Sequence, residues 1–209
     1  MQRLIAFGAS NTYGQGLEDC HVPPCDPGPS PSKFAWPSLL SQQMGLECKN
    51  MSDPGASNAH IIEELLKFKF EPDDMIVIMW TDPYRDILHK NEKETITLAH
   101  WQQDPSINIK EWILLHNDYD MSLRSWKTIH HAYVYLKLLG NQFYMLTDNK
   151  GTEFISTKPA WASEIEFPNI YMSDIRKTHP VALDGRHPGI EAHATLAKLI
   201  YDNILSHAN

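Results

Sequence analysis

Three polar residues near the two ends of the chain have the types and spacing of a nucleophilic site. Ser10 lies in "LIAFGASNTYGQG", just after a short apolar run, and Asp184 and His187 lie in "LDGRHPGIEAH". A serine hydroxyl attacks a carbonyl only when a base takes its proton, and imidazole does this near neutral pH. A carboxylate three residues ahead of the histidine can hold one ring nitrogen while the other faces the nucleophile. Each piece has a plainer reading. Ser10 alone is a turn residue or helix N-cap, and DxxH alone is a capped first turn with Pro188 at the helix start. Gly8, Gly14 and Gly16 also allow an anion cradle, but their spacing fits neither GxGxxG nor a Walker loop.

The elements that must position these residues follow from apolar periodicity. "RLIAFG", "LECKNMS", "DMIVIMW", "NQFYMLT" and "NIYMSD" read as strands, "DMIVIMW" as one covered on both faces. "FAWPSLLSQQMG", "SNAHIIEELLKF" with Ser57 as N-cap, "DMSLRSWKTIHHAYVYLKLLG" and "GIEAHATLAKLIYDNIL" read as helices. "ETITLAHW" fits helix or strand. Strands separated by helices predict a three-layer α/β/α domain spanning 1–209, with a flavodoxin-like parallel sheet of about five strands. Ligands gather at the carboxyl ends of such strands, where Ser10 falls. Trp80, at the end of "DMIVIMW", should border the same pocket.

The chain resembles the SGNH/GDSL hydrolases over nearly its whole length. The first block of that family, G-D-S-x-S/T, looks like Gly8-Ala9-Ser10-Asn11-Thr12. Its second resembles "NMSDPGAS", with Asn50 and Gly55, and its last, D-x-x-H-P, matches Asp184, His187 and Pro188. The resemblance implies Ser10 as nucleophile, His187 as general base and acid, and Asp184 as its orienter. It places the amides of Ser10 and Gly55 in the oxyanion hole. Two blocks depart from the pattern. Ala9 replaces the Asp of G-D-S, and the third block, G-x-N-D, is replaced by Trp80-Thr81-Asp82-Pro83-Tyr84-Arg85. Asp82 stands nearest the missing Asn, yet an ionised carboxylate opposes an oxyanion unless it is protonated or holds another donor. Thr81 and Arg85 are available donors there, and Asn11 and Asn58 are further substitutes. Arg85 can also clamp an acidic substrate or pair with Asp82.

The resemblance implies an ester substrate, and a short acyl group on a polar or saccharide-like alcohol is the expected one. No cofactor or metal is called for: His187 and His193 lack i, i+4 spacing, and His130 and His131 diverge on a helix. Two rivals share the residues: a catalytically reduced binding or accessory protein, and an O-acyltransferase. A net charge of −8 argues against nucleic acid, and no apolar run is long enough for a membrane span. Cys20, Cys25 and Cys48 are an odd number, read as free thiols in the cytoplasm. Residues 20–33, with Pro23, Pro24, Pro27, Pro29 and Pro31, read as a surface loop. Six tryptophans are mostly core candidates, with Trp161 in a loop-like stretch. Oligomeric state is not legible.

Overall fold

The computed structural model describes residues 2–89, 91, 95–99, 108, 109, 111, 112, 117–148 and 157–207. Four parallel strands form the central sheet: β1 (Arg3–Phe7), β4 (Glu47–Asn50), β5 (Met75–Trp80) and β8 (Gln142–Thr147), in the order β4-β1-β5-β8. Chain order reverses between β1 and β5, which makes that gap the switch point where such sheets bind ligands.

Alternation along the two central strands divides the core. Leu4, Ala6, Met75, Val77 and Met79 face α2 (Trp36–Met44) and α6 (Ile190–His207). Ile5, Phe7, Ile76, Ile78 and Trp80 face α3 (Asn58–Lys67) and α4 (Asp118–Leu139). A period of two with apolar residues on both sides is what a doubly covered parallel strand requires. The expected helices all form. Ser57 caps α3 by accepting from the His60 N–H at 3.2 Å, and Asn117 caps α4 by accepting from Asp120.

At the amino ends of the strands, Arg3 on β1 donates to Asp74 at 2.7 and 2.5 Å just before β5. Asn141, ahead of β8, donates to the carbonyls of Glu71, Pro72 and Asp74. These buried bonds lock strand register at the end away from Ser10.

The sheet departs from expectation at its edge, with four strands among the described residues rather than about five. "NIYMSD" forms no ladder: Pro168 has no N–H, the Ile170 N–H turns back to Pro168 O at 2.7 Å, and the chain enters helix α5 (Met172–Ile175). A cavity of about 480 Å³, lined by Tyr133, Phe143, Phe167 and Asn203 among others, opens beside β8 instead. The ambiguous "ETITLAHW" contributes β7 (Thr95–Leu98), antiparallel to β6 (Asp86–His89) outside the main sheet; its Glu94, His100 and Trp101 lie outside the described residues.

The proline-rich segment is tied down. Its two short strands, β2 (His21–Val22) and β3 (Asp26–Pro27), pair antiparallel. Tyr13 Oη donates to Gly28 O at 2.7 Å, Ser32 N–H to Tyr13 O, and Gln15 Nε2 to Cys25 O. The loop is therefore built onto the turn that carries Ser10. Cys20, Cys25 and Cys48 are free thiols, and no described helix is long and apolar enough to cross a membrane.

Candidate active site

Ser10 opens α1 (Ser10–Tyr13), a single turn at the carboxyl end of β1. The next turn brings Gly16 against the DxxH segment. Leu183 N–H donates to Gly16 O at 3.0 Å, and a Cβ at Gly16 would stand 2.6 Å from the Asp184 carboxyl carbon. Gly16 also has φ +86°, a conformation that L side chains rarely adopt. Contact this close requires glycine, and it docks the C-terminal carboxylate on the loop following the serine.

Asp184 and His187 form a pair. Asp184 Oδ2 is 2.5 Å from His187 Nδ1, and Oδ1 accepts from the N–H groups of Arg186 and His187. Desolvation opposes ionisation, but those two backbone donors and the imidazole outweigh it and hold the carboxyl below the usual range. The Asp184 side chain is fully enclosed while His187 is about one-fifth exposed, so the carboxylate is covered and the imidazole reaches solvent. Among the described residues neither Ser10 Oγ nor His187 Nε2 has a hydrogen-bond partner, and the two are not bonded to each other.

Behind His187, α6 carries His193, which is fully buried. Its Nδ1 accepts the Trp36 N–H at 3.2 Å, satisfying the start of α2, and its Nε2 has no partner. Burial, then the charge of His187, lowers its pKa to about 3, so the ring stays neutral.

The segment from Asn50 to Gly55 lies beside the turn that carries Ser10. Asn50 Nδ2 donates to Thr12 O at 2.7 Å, and Asp53 N–H to Gly8 O at 3.2 Å. Gly55 has φ +80°, a conformation that favours glycine, with open space where a side chain would be. In the altered third block, Asp82 Oδ1 accepts the Tyr84 N–H at 2.8 Å and shapes the turn. Arg85 reaches back over the second block, with Nη1 3.4 Å from Ala56 O. Burial lowers its pKa, while Asp82 and Asp148 counter by stabilising the charge.

Two sequence-predicted binding residues are placed elsewhere. Asn58 is buried: its Nδ2 donates to Thr81 O and Ser125 Oγ, and its Oδ1 accepts the Thr81 N–H at 2.9 Å. It pins the chain leaving β5 to α3, which leaves no amide for a ligand. Trp80 is fully buried with Trp126 and Ile129, because its place in the β5 alternation points it toward α4. Thr81 is buried too, its hydroxyl without a partner. Asn11 is beside Ser10, its Nδ2 given to both oxygens of Asp148 at 2.9 and 2.8 Å. Trp161 is 44% exposed and meets the His130 ring edge-on.

Sequence reasoning missed Asp148 and considered Gly16 only for an anion cradle. Asp148 directly follows the predicted strand "NQFYMLT", so its position at a carboxyl strand end was the available signal. Nothing local marks Gly16, whose constraint comes from a segment far along the chain.

No family sequence model matches the chain, and no curated protein does. Solved structures do. An acetyl xylan esterase from Butyrivibrio proteoclasticus superposes with TM-score 0.61 at 14% identity, covering 99% of this chain and 64% of that one. A carbohydrate acetylesterase from Sinorhizobium meliloti gives TM-score 0.60 at 13% identity over 99% of both chains. A G-D-S-L family lipolytic protein from Veillonella parvula gives 0.52 at 15% identity, over 97% of this chain and 99% of that one. The chain thus has the α/β/α fold of the SGNH/GDSL lipolytic proteins and carbohydrate esterases.

Proposed function

We propose that the chain is a serine ester hydrolase acting through an acyl-Ser10 intermediate. The observation that carries this reading is the enclosed Asp184–His187 pair, docked through Gly16 onto the turn that follows Ser10. Ser10 Oγ attacks the ester carbonyl as its proton passes to His187 Nε2. Asp184 stabilises the imidazolium that forms, and the tetrahedral oxyanion sits on the amides of Ser10 and Gly55. The imidazolium then protonates the departing alcohol, leaving Ser10 acylated. Water, deprotonated by the same nitrogen, releases the acid and restores the serine. The open geometry of the apo pair tightens when substrate seats, as is common for catalytic hydrogen bonds.

Arg85 serves as the third donor of the oxyanion hole in place of the absent Asn. Its guanidinium lies over the carbonyl next to Gly55, whereas Thr81 is buried and Asp82 is engaged with the Tyr84 amide. The substrate class is a short acyl ester of a saccharide-like alcohol, in keeping with neighbours described as carbohydrate esterases. The free thiols suit a reducing compartment, the cytoplasm. Transfer of the acyl group to another alcohol would use the same residues.

Fluorophosphonate labelling with peptide mapping tests the acyl-serine claim at pH 8. Labelled Ser10 and p-nitrophenyl acetate turnover abolished in Ser10→Ala and His187→Ala are expected. A folded protein that takes no label refutes it. One observation favours a second reading, a binding protein that keeps the scaffold: Ser10 and His187 are not hydrogen-bonded. That reading predicts ester binding without turnover, unchanged in Ser10→Ala.

A further inference from the structure

Asp148 joins three elements at the carboxyl edge of the sheet. Its N–H donates to Trp80 O at 2.8 Å, and its carbonyl accepts the Ser173 N–H, at α5, at 3.1 Å. Its carboxylate accepts from Asn11 Nδ2, which lies 2.9 and 2.8 Å from the two oxygens. Asn11 is the residue after Ser10, and β8 is two strands from β1, so this bond passes across the end of β5.

The nucleophile turn needs such an anchor. With four residues, α1 is far below the length at which a helix holds itself, and its N-cap Ala9 makes no side-chain capping bond. Asn50 secures the far end of the turn at Thr12 O, and nothing equivalent comes from Ala9 at the serine end. We propose that Asp148 is a positioning residue for Ser10: through Asn11 it fixes the nucleophile turn from β8, a task that Ala9 cannot perform. This inference rests on the reading of Ser10 as nucleophile.

The ionised carboxylate suits the role because both of its oxygens can share the amide N–H as charge-assisted acceptors. Protonation would leave one oxygen carrying hydrogen toward Asn11. Burial, the largest influence, pushes its pKa up with help from Asp82, against Asn11, Arg85 and Arg176, which favour the charged form. The bond pattern is thus sensitive to any loss of charge at this position.

The test uses Asn11→Asp, Asp148→Asn and the reciprocal double variant Asn11→Asp/Asp148→Asn. In the double variant the amide and carboxylate exchange sides. Misplacement of a reacting group by about 1 Å costs on the order of a hundredfold in rate. Each single variant should therefore lose about ten- to a hundredfold in kcat for p-nitrophenyl acetate, with KM within about twofold. The exchange should recover about tenfold of that loss, since a direct bond makes the two sites non-additive. Singles that keep kcat within twofold, or a double variant no better than the additive expectation, overturn the proposal.

Hydrogen exchange at the amides of Asn11–Gly14 gives a readout independent of turnover. Asp148→Asn should speed it about tenfold or more while the β5 amides stay protected; unchanged exchange overturns the anchoring. If the wild-type protein takes no fluorophosphonate label, the nucleophile reading fails and the positioning role falls with it. Labelled wild type with unaffected variants removes only the role of Asp148.

Discussion

His193 should make the protein lose stability in mild acid, and the size of the loss follows from its surroundings. The ring is fully buried, accepts the Trp36 amide through Nδ1 and lies near the charge of His187. A proton on Nδ1 would cancel the bond and bury a cation. The folded-state pKa is about 3, against the ordinary 6.5 in the unfolded chain. The neutral form is thus favoured by folding, so the associated stability is complete above pH 6.5. It is lost as pH falls from 6.5 toward 3, because only the unfolded chain takes up the proton. Each unit of separation is worth about 1.4 kcal/mol, so the loss is about 2 kcal/mol at pH 5 and about 3 kcal/mol at pH 4.

Urea unfolding followed by far-UV circular dichroism at pH 7.5, 6 and 5 measures this. The informative comparison is with His193→Gln, whose side-chain oxygen can accept the Trp36 amide but does not titrate. Carboxylates contribute to both proteins and cancel in the difference. Burial raises Asp148 and Asp53, whereas donors hold Asp184 and Asp74 low. The wild-type stability should fall by about 2 kcal/mol more than that of the variant between pH 7.5 and 5. Parallel pH profiles for the two proteins would refute the assignment of a neutral, amide-accepting ring.

Gly16→Ala should reduce kcat by about a hundredfold, because the new methyl displaces the Asp184 carboxylate while the fold persists. Turnover of p-nitrophenyl acetate beside a circular dichroism spectrum checks both halves. Arg85→Met should cost about a hundredfold in kcat with little change in KM, the pattern for a donor used only in the transition state. A rise in KM alone would make Arg85 a ground-state binding group. Asp74→Ala should lower stability by leaving Arg3 with only Glu71 at 2.9 Å as a salt-bridge partner, with kcat unchanged at temperatures where the protein is folded; urea unfolding measures the loss.

The layered architecture was legible because the chain repeats one signal. Buried strands such as "DMIVIMW" are continuous apolar runs, and the helices between them carry their own stops at Gly45 and Gly140, both left-handed caps. The fifth strand was not. "NIYMSD" has strand-like residues, but Pro168 two positions upstream of Ile170 ends the donor row before a ladder can start. The Asp184–His187 contact was legible because it is local, between residues three apart. Asn58 and Trp80 were misplaced because each lies at a boundary where the next half-turn decides its direction. Asn58 is drawn inward by the Thr81 backbone, and Trp80 is drawn under α4. Asp148 is the opposite case, a residue whose importance depends wholly on a partner far away in sequence.

The departures from the family pattern fall in one physical region. Ala9 and the Thr81–Arg85 segment follow adjacent strands, β1 and β5, at the switch point of the sheet. Measured against the pattern the chain resembles, the differences are a carboxylate beside the serine and a carboxamide in the next loop, one a matter of anchoring and one of hydrogen-bond donation. The structure contains a charged group suited to each: Asp148 bonded to Asn11, and Arg85 over the second block. Asp148 and Arg85 also stabilise one another's charge. An anion introduced at position 148 and a cation introduced at position 85 are each costly alone in a partly buried site, and far less so together. The two replacements are therefore coupled, and restoring Asp at position 9 should not by itself make Asp148 dispensable. Its removal would still leave Arg85 with Asp82 as its remaining acidic neighbour, so Ala9→Asp/Asp148→Asn should remain slower than wild type in the same ester assay.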